Sequence, residues 1–223
     1  MKKQSLAAAF LAGALVLSSC GASNAVKGAG IGAAGGAAIG AGIGRVLGNT
    51  AVGAVVGGVV GGTAGTLIGK KMDKQKKELE RDVKDAKIES VNDGQAIRVT
   101  FDSGILFATG SASLSSTSQA TLRKFAANLS EHSDTDLMII GHTDNTGTDR
   151  VNNPLSYNRA ASVRSFLAGQ GVSSSRMKVE GKGSYEPVAD NSTVAGRREN
   201  RRVEVYILPS KEMVKAAEAG TLK

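Results

Sequence analysis

The sequence predicts an α+β fold for residues 91 to 209: a two-layer sandwich in which a sheet of four or five short strands carries two helices on one face. Two patterns indicate this fold. Short apolar runs alternate with the period of strands, and between them lie two longer segments whose apolar residues repeat at helical spacing. The elements follow a βαβαβ order. About 120 residues are enough to bury one such core.

The first half of this region is predicted as a hairpin followed by a helix. Apolar side chains alternate through residues 97 to 101, which indicates a strand, and Asp102-Ser103-Gly104 has the composition of a turn. Residues 105 to 107 are expected to return as a second strand. A helix from Ser115 to Leu129 follows, because its apolar residues fall on one face.

A strand, a polar loop and a second helix are predicted at the centre. Residues 137 to 140 are apolar and form the strand, and the loop that follows contains Gly147. Pro154 is placed in the first turn of the helix and Ser156 near its cap, with Gly169 near its end. Its buried face is predicted to carry Ala160, Val163, Phe166 and Leu167.

The rest of this region is predicted from shorter patterns. Residues 176 to 180 alternate and indicate a strand, and residues 181 to 199 are expected to form a long polar loop. The last strand is predicted over residues 202 to 208. Residues 210 to 223 are expected to form a tail with a short helix.

The central loop carries a candidate binding site for a zwitterion. Asp144 lies just past the strand and can accept an ammonium, whereas Arg159 on the helix can hold a carboxylate with two charge-assisted hydrogen bonds. Asn152, Thr143 and backbone N–H groups would complete the site. From spacing alone, an ion pair between Asp144 and Arg159 that merely fixes the loop is an equally good interpretation.

Several motifs in this region occur in the same order as in a known family. They are GHTDNTG from Gly141, N-x-x-L-S from Asn152, R-A-x-x-V from Arg159 and NRRVEV from Asn200. Together they resemble the OmpA-like peptidoglycan-binding domain, over about half of the chain. The resemblance implies that Asp144 and Arg159 hold the diaminopimelate residue of the peptidoglycan stem peptide, and so favours a ligand site over a mutual pair.

The same resemblance bears on two further places. Arg201, in the NRR motif, is implied to lie close to the ligand site, although a solvated run of charge is the alternative for the arginines around it. Family members often carry an acid or Asn after the phenylalanine that corresponds to Phe107, where this chain has Ala108-Thr109-Gly110. We therefore expect weaker binding, or compensation by backbone groups.

The amino terminus has the features of an exported lipoprotein. Residues 1 to 19 contain two lysines and a short apolar run, which predict a signal peptide and not a membrane span. The sequence Leu17-Ser18-Ser19-Cys20 resembles a bacterial lipobox, so Cys20 is the predicted site of lipid attachment. A catalytic role for this single cysteine lacks a partner histidine. Gly21 favours the outer membrane, and residues 20 to 27 form the lipidated amino terminus.

Residues 28 to 69 carry glycines at every fourth position, interrupted at Asn49-Thr50. Such a stripe lets helices approach closely, as small residues do in membrane helices, and the segment resembles glycine-zipper segments of envelope proteins. It is predicted to form a helical hairpin that enters the membrane or self-associates; a flexible linker is the alternative. The absence of Asp and Glu in this segment argues against an ion-driven motor.

Residues 70 to 90 are rich in charges of both signs and are predicted to form a solvated helical linker. The chain has a net charge of +8, which fits a polyanionic wall or lipid surface, while export and few aromatic residues argue against nucleic acid. His132 and His142 lack the partners of a zinc site, and His142 is expected to be a structural neighbour of Asp144.

No cofactor-binding motif or nucleophile with a matching base is visible in the sequence, so we expect no enzymatic activity. Two functions remain. The first is an anchor that joins the outer membrane to peptidoglycan. The second is a membrane-embedded homo-oligomeric assembly built by the glycine-rich hairpin, in which wall binding is secondary.

Overall fold

The computed structural model describes residues 60–108 and 110–222. The predicted signal peptide, Cys20, residues 28 to 59 of the predicted hairpin and Thr109 lie outside the described residues. Within the described part, no helix is both long enough and apolar enough to cross a membrane.

The described chain contains helices and strands in the following order: α1 Gly62–Asp82, β1 Lys87–Val91, β2 Ala96–Asp102, α2 Ser103–Leu106, α3 Ser116–Glu131, β3 Thr135–Gly141, α4 Asp149–Gly169, β4 Met177–Gly181, α5 Val194–Asn200, β5 Arg202–Pro209 and α6 Lys211–Glu218. A short 3-10 helix, Ser174–Arg176, precedes β4. The mixed α and β content confirms the predicted fold class.

The five strands form one sheet in the order β1-β2-β5-β3-β4. All neighbours are antiparallel except β3 and β4, which are parallel and are joined through α4. The main core lies between the sheet and its helices, where Phe101 of β2 meets Phe125 of α3 edge to face at 5.5 Å. The other sheet face carries a second, smaller apolar cluster: Ala96, Met138, Ile140, Tyr206 and Leu208.

Helix α1 differs from the predicted solvated linker. It begins at Gly62, before the predicted boundary at residue 70, and packs against α3 and α6. Ile68, Met72 and Leu79 are fully buried on one face of it. The charged residues occupy its other face, so a thin apolar stripe was enough to dock the helix. The linker prediction is also wrong at its end, because Lys87–Val91 is the edge strand β1.

One glycine of the predicted hairpin has a role within the domain. The side-chain amide of Gln95, before β2, donates to the Val60 carbonyl oxygen at 3.0 Å and accepts from the Val60 N–H at 2.9 Å. A Cβ on Gly65 would clash with that same carbonyl oxygen. Because Gly65 has no side chain, the first turn of α1 can pack against the Val60 carbonyl group.

Two predicted elements are wrong in type. Residues 105 to 107 do not form a strand: Ser103–Leu106 is a short helix, which the Asp102 carboxylate caps by accepting from Gly104 N–H at 2.6 Å. Only an isolated bridge links Phe107 to Leu114. The polar loop predicted over residues 181 to 199 contains α5, which Thr193 caps.

Helix α4 begins earlier than predicted. Its first residue is Asp149, an acid at the positive end of the helix, so Pro154 lies inside the helix and Ser156 is not its cap. The Ser156 hydroxyl instead donates to the Asn153 carbonyl at 2.8 Å and accepts from Gly183 N–H at 2.9 Å. The predicted helix at Ser115 and the short carboxy-terminal helix are confirmed as α3 and α6.

Candidate functional site

The candidate site lies at one end of the sheet. Asp144 follows β3, Arg201 immediately precedes β5, and Arg159 lies on α4, which crosses from β3 to β4. The neighbouring strands β3 and β5 run antiparallel, with Gly141 opposite Val203. Because the end of one strand lies beside the start of the other, Asp144 and Arg201 meet although they are far apart in sequence.

Two glycines bring α4 down onto the sheet at this end. A Cβ on Gly141 would clash with the Ser156 carbonyl oxygen, and a Cβ on Gly181 would lie 2.5 Å from the backbone nitrogen of Tyr157. The helix backbone therefore rests directly on the ends of β3 and β4. This close approach holds Arg159 beside the loop that carries Asp144.

Asp144 is only 6% exposed, and both of its carboxylate oxygens accept hydrogen bonds. Oδ1 accepts from the Thr146 N–H at 2.8 Å, and Oδ2 lies 2.5 Å from Arg201 Nη1. Burial alone would raise the pKa of Asp144, but the hydrogen bonds from Arg201 and Thr146 outweigh it and hold the pKa below its usual value. The carboxylate is therefore charged at neutral pH.

Arg159 is 4% exposed, and two contacts fix its guanidinium group, one through Nε and one through the face of the guanidinium plane. Nε donates to the Ser111 carbonyl at 3.0 Å, and the guanidinium carbon lies 5.3 Å from the centre of the Phe107 ring. Burial, and then the charge of Arg201, lower the pKa of Arg159, although an arginine stays protonated. Within residues 60–108 and 110–222, no hydrogen bond involves its two terminal nitrogens.

The ion pair that was the alternative interpretation is absent from the described residues, where Asp144 pairs with Arg201 and not with Arg159. Two guanidinium groups and one carboxylate thus share the site. Such a set can hold a ligand carboxylate on Arg159 and a ligand cation on Asp144, which is the requirement for a zwitterion.

Asn152 and Thr143 lie beside these charged groups and are buried. The Asn152 amide donates to the carbonyl oxygens of Asp144 at 3.4 Å and Thr146 at 3.2 Å, and so shapes the loop. The Thr143 backbone N–H donates to the Gly183 carbonyl at 2.8 Å. Its hydroxyl is buried and has no hydrogen-bond partner among the residues that the structure describes.

Two family models match the chain. The model of the OmpA family matches residues 106–201, which include Asp144, Arg159 and Arg201. The carboxy-terminal domain belongs to the OmpA family. The YMGG-like Gly-zipper model matches residues 1–73, a range that ends inside α1.

Three relatives illustrate the similarity. The probable lipoprotein YiaD of Escherichia coli (strain K12) is 36% identical over 62% of this chain and 63% of its own length. The peptidoglycan-binding protein ArfA of Mycobacterium bovis is 38% identical over 50% of this chain and 34% of its own length. The chain thus spans less than two thirds of either curated relative. The structure of the cell wall anchor of the T6SS from Pseudomonas aeruginosa is 32% identical, with a TM-score of 0.54, over 60% of this chain and 96% of that chain.

The structure of the OmpA family domain adds three residues to the predicted site. Ser111 and Phe107 position Arg159, as described above. Asn200, the first residue of the NRRVEV motif, is fully buried and bonds to Val188, Ala189 and Asn191. The motif was the only advance signal for Asn200, whereas the contacts of Ser111 and Phe107 with Arg159 join segments that lie far apart in the sequence.

The arginines around the NRR motif have separate partners. Arg201 binds Asp144, Arg202 binds Glu204 at 2.7 Å on the other sheet face, and exposed Arg198 pairs with Asp102 at 2.8 Å. Arg197 donates to the carbonyl oxygens of Asn191 and Ser192. Each arginine therefore makes a specific contact, and Arg201 alone in this group contacts Asp144.

His142 does not accompany Asp144 as expected. It is buried beside Glu204, 3.8 Å from that carboxylate, and neither ring nitrogen has a hydrogen-bond partner among the described residues. Burial and the charge of Arg202 lower the pKa of His142 to about 3. The imidazole is therefore neutral in the folded protein, and it lies with Arg202 and Glu204 on the other sheet face.

Proposed function

We propose that this chain is a non-enzymatic envelope lipoprotein that tethers the outer membrane to peptidoglycan, and that its OmpA family domain binds the diaminopimelate of the stem peptide. One observation carries the proposal. Asp144 and Arg159 are both buried and charged at one end of the sheet, and the terminal nitrogens of Arg159 make no hydrogen bond to the described residues.

The chemistry of diaminopimelate fits these groups. Its outer amino-acid centre carries an ammonium and a carboxylate on one carbon, so Asp144 would take the first and Arg159 the second. Both protein groups are largely out of water, where a charge-assisted hydrogen bond is strong and an unpaired charge is costly. Asn152 and the Thr143 hydroxyl supply further polar groups at the edge.

The names of the relatives support the same function. They describe a probable lipoprotein, a peptidoglycan-binding protein and a cell wall anchor. Under this proposal Cys20 carries the lipid, Gly21 directs the protein to the outer membrane, and the domain lies in the periplasm. No nucleic acid or cofactor takes part.

The position of α1 supports a tether. Gln95 holds Val60 at the start of β2, whereas β2 ends at Asp102, next to Ser103, whose N–H donates to the Arg201 carbonyl. A strand rises about 3.3 Å per residue, so the length of β2 separates the two places by roughly 20 Å. The described chain thus begins at the end of β2 opposite to the site, which fits a tether whose site faces the wall.

Retention of the full-length protein on purified peptidoglycan sacculi tests the proposal. Asp144→Ala and Arg159→Ala should each abolish retention. Arg164 has a buried Nε and is therefore a poor control. Arg150 is exposed on the same helix, so Arg150→Ala is a matched loss of charge that should leave retention intact. Equal retention of all three variants would contradict the proposal.

The match of residues 1–73 to a Gly-zipper model favours a second candidate function, a membrane-embedded homo-oligomer. Gly61→Leu is a suitable test because a Cβ at Gly61 meets no atom within 4 Å, so the domain should fold normally. Combined with Gly57→Leu, it should break detergent-resistant oligomers. A wild-type protein that runs as a monomer would exclude this candidate.

A further inference from the structure

Asp144 is paired with a cation of its own chain. Arg201 Nη1 lies 2.5 Å from Oδ2, on the carboxylate that the proposed function assigns to a ligand ammonium. The other oxygen accepts the Thr146 N–H at 2.8 Å. Any ligand cation must therefore share Asp144 with Arg201 or replace it.

The two partners of this pair differ in exposure. The Asp144 side chain is 9% exposed, but that of Arg201 is 38% exposed. A guanidinium with this much access to water regains its hydration when it is released, so the cost on the side of Arg201 is small. The buried carboxylate, in contrast, needs another charged donor if Arg201 leaves, since an uncompensated buried charge is strongly unfavourable.

We infer that Arg201 occupies the position of the ligand ammonium and is displaced by it, so that binding requires a free amine beside the carboxylate that Arg159 takes. This inference rests on the proposed function. Arg201, Arg159 and Asp144 together carry one positive charge in excess. A ligand carboxylate neutralises it, and only a ligand ammonium replaces Arg201 with an equal charge.

The requirement for a free amine distinguishes two chemical states of the wall. In a stem peptide that is not cross-linked, the diaminopimelate amine is free and protonated. In a stem that has supplied this amine to a cross-link the nitrogen is acylated, and its neutral amide N–H cannot replace the charge of Arg201 on Asp144. The protein therefore selects stem peptides whose diaminopimelate amine has not been used in a cross-link.

Titration calorimetry of the full-length protein in detergent micelles tests this with two synthetic stem tripeptides. One has a free diaminopimelate amine, and the other is acetylated on that nitrogen. The wild type should bind the free-amine peptide at least about tenfold more tightly, the scale of a charge-assisted hydrogen bond. The free-amine peptide should bind the Arg201→Gln variant about fivefold more tightly than it binds the wild type, because its ammonium no longer has to displace Arg201 from Asp144.

Two further variants make the result specific. The acetylated peptide should bind Arg201→Gln no more tightly than it binds the wild type. Arg201→Lys keeps the charge and should preserve the wild-type affinities. Arg198→Gln removes an exposed arginine that pairs with Asp102, and it should change neither affinity.

The possible failures are distinguishable. Equal affinities of the wild type for the two peptides would overturn the inference and leave the proposed function standing. A parallel loss of both affinities in Arg201→Gln would also overturn it: at an unchanged melting temperature Arg201 would be a direct ligand contact, and at a lowered one it would be structural. If neither peptide binds the wild type, the proposed function itself fails.

Discussion

Gln75 of α1 and Asn128 of α3 are joined by a buried hydrogen bond of 3.0 Å between their side-chain amides. An ion pair between Lys71 and Asp134 and a hydrogen bond between His132 and Glu78 lie on the same interface. The helix next to the amino-terminal segments is therefore an integral part of the domain.

Gln75→Ala tests this docking. The change leaves the Asn128 amide buried without its partner, and it should lower the free energy of unfolding by about 1 to 3 kcal/mol in urea denaturation. Lys74→Ala, at the exposed neighbouring position, should change it by less than about 0.5 kcal/mol. Equal effects of the two variants would show that α1 is not docked in solution.

His142 should make stability depend on pH. Its pKa of about 3 in the folded protein lies below the ordinary value of 6.5, so the unfolded chain binds a proton first as the pH falls. The contribution of neutral His142 to stability is therefore complete above about pH 6.5 and falls as the pH decreases below that value. The loss ends near pH 3, where the folded protein also binds the proton. Between pH 7 and pH 5 the loss should reach about 2 kcal/mol.

Urea unfolding at several pH values measures this dependence. His142→Leu should flatten the curve between pH 7 and pH 5. The carboxylates with lowered pKa values, Asp144 and Glu204, give up their contributions only at lower pH, near the ordinary carboxyl values. A His142→Leu curve as steep as that of the wild type would contradict the assignment.

Gly141→Ala tests the close approach of α4 to β3. The new methyl would meet the Ser156 carbonyl oxygen, so the helix must shift, at a cost of about 1 to 3 kcal/mol. The shift moves Arg159, and retention on sacculi should fall as well. Gly169→Ala, in the same helix, meets no atom within 4 Å and should leave retention unchanged. An unaltered melting temperature of Gly141→Ala would refute the predicted clash.

Asn200→Ala tests the support of the loop beside the site. It removes hydrogen bonds to Val188, Ala189 and Asn191, and Asn191 in turn accepts from the Asn145 N–H at 3.3 Å. We expect a loss of about 1 to 3 kcal/mol in stability and a weaker affinity for sacculi. Asn158→Ala, at an exposed position of α4, is the control and should match the wild type in both measurements.

The main strands and helices could be predicted from local patterns, because the alternation of residues 97 to 101 and the apolar face of α4 are visible in the sequence. Helix α1 was misjudged for a physical reason. Its apolar stripe is thin, and the surface that buries it comes partly from Met213 and Val214 at the other end of the chain. Its burial therefore depends on contacts that no local pattern shows.

The site was predictable in part. The motifs place Asp144 and Arg159 on a loop and a helix that follow one strand, so their proximity was expected. The pairing of Asp144 with Arg201 was not, because it depends on the register between β3 and β5, which brings residues 57 positions apart together. The role of Ser111 was also hidden, since it binds Arg159 through its backbone carbonyl and not through its side chain.

The most direct test of the proposed site is a crystal structure of the protein with a diaminopimelate-containing stem tripeptide. The outer carboxylate of the ligand should lie within hydrogen-bonding distance of the Arg159 terminal nitrogens, and its ammonium should lie at the Asp144 carboxylate. A tripeptide bound elsewhere, for example in the charged cleft on the other sheet face between Arg98 and Arg202, would contradict it.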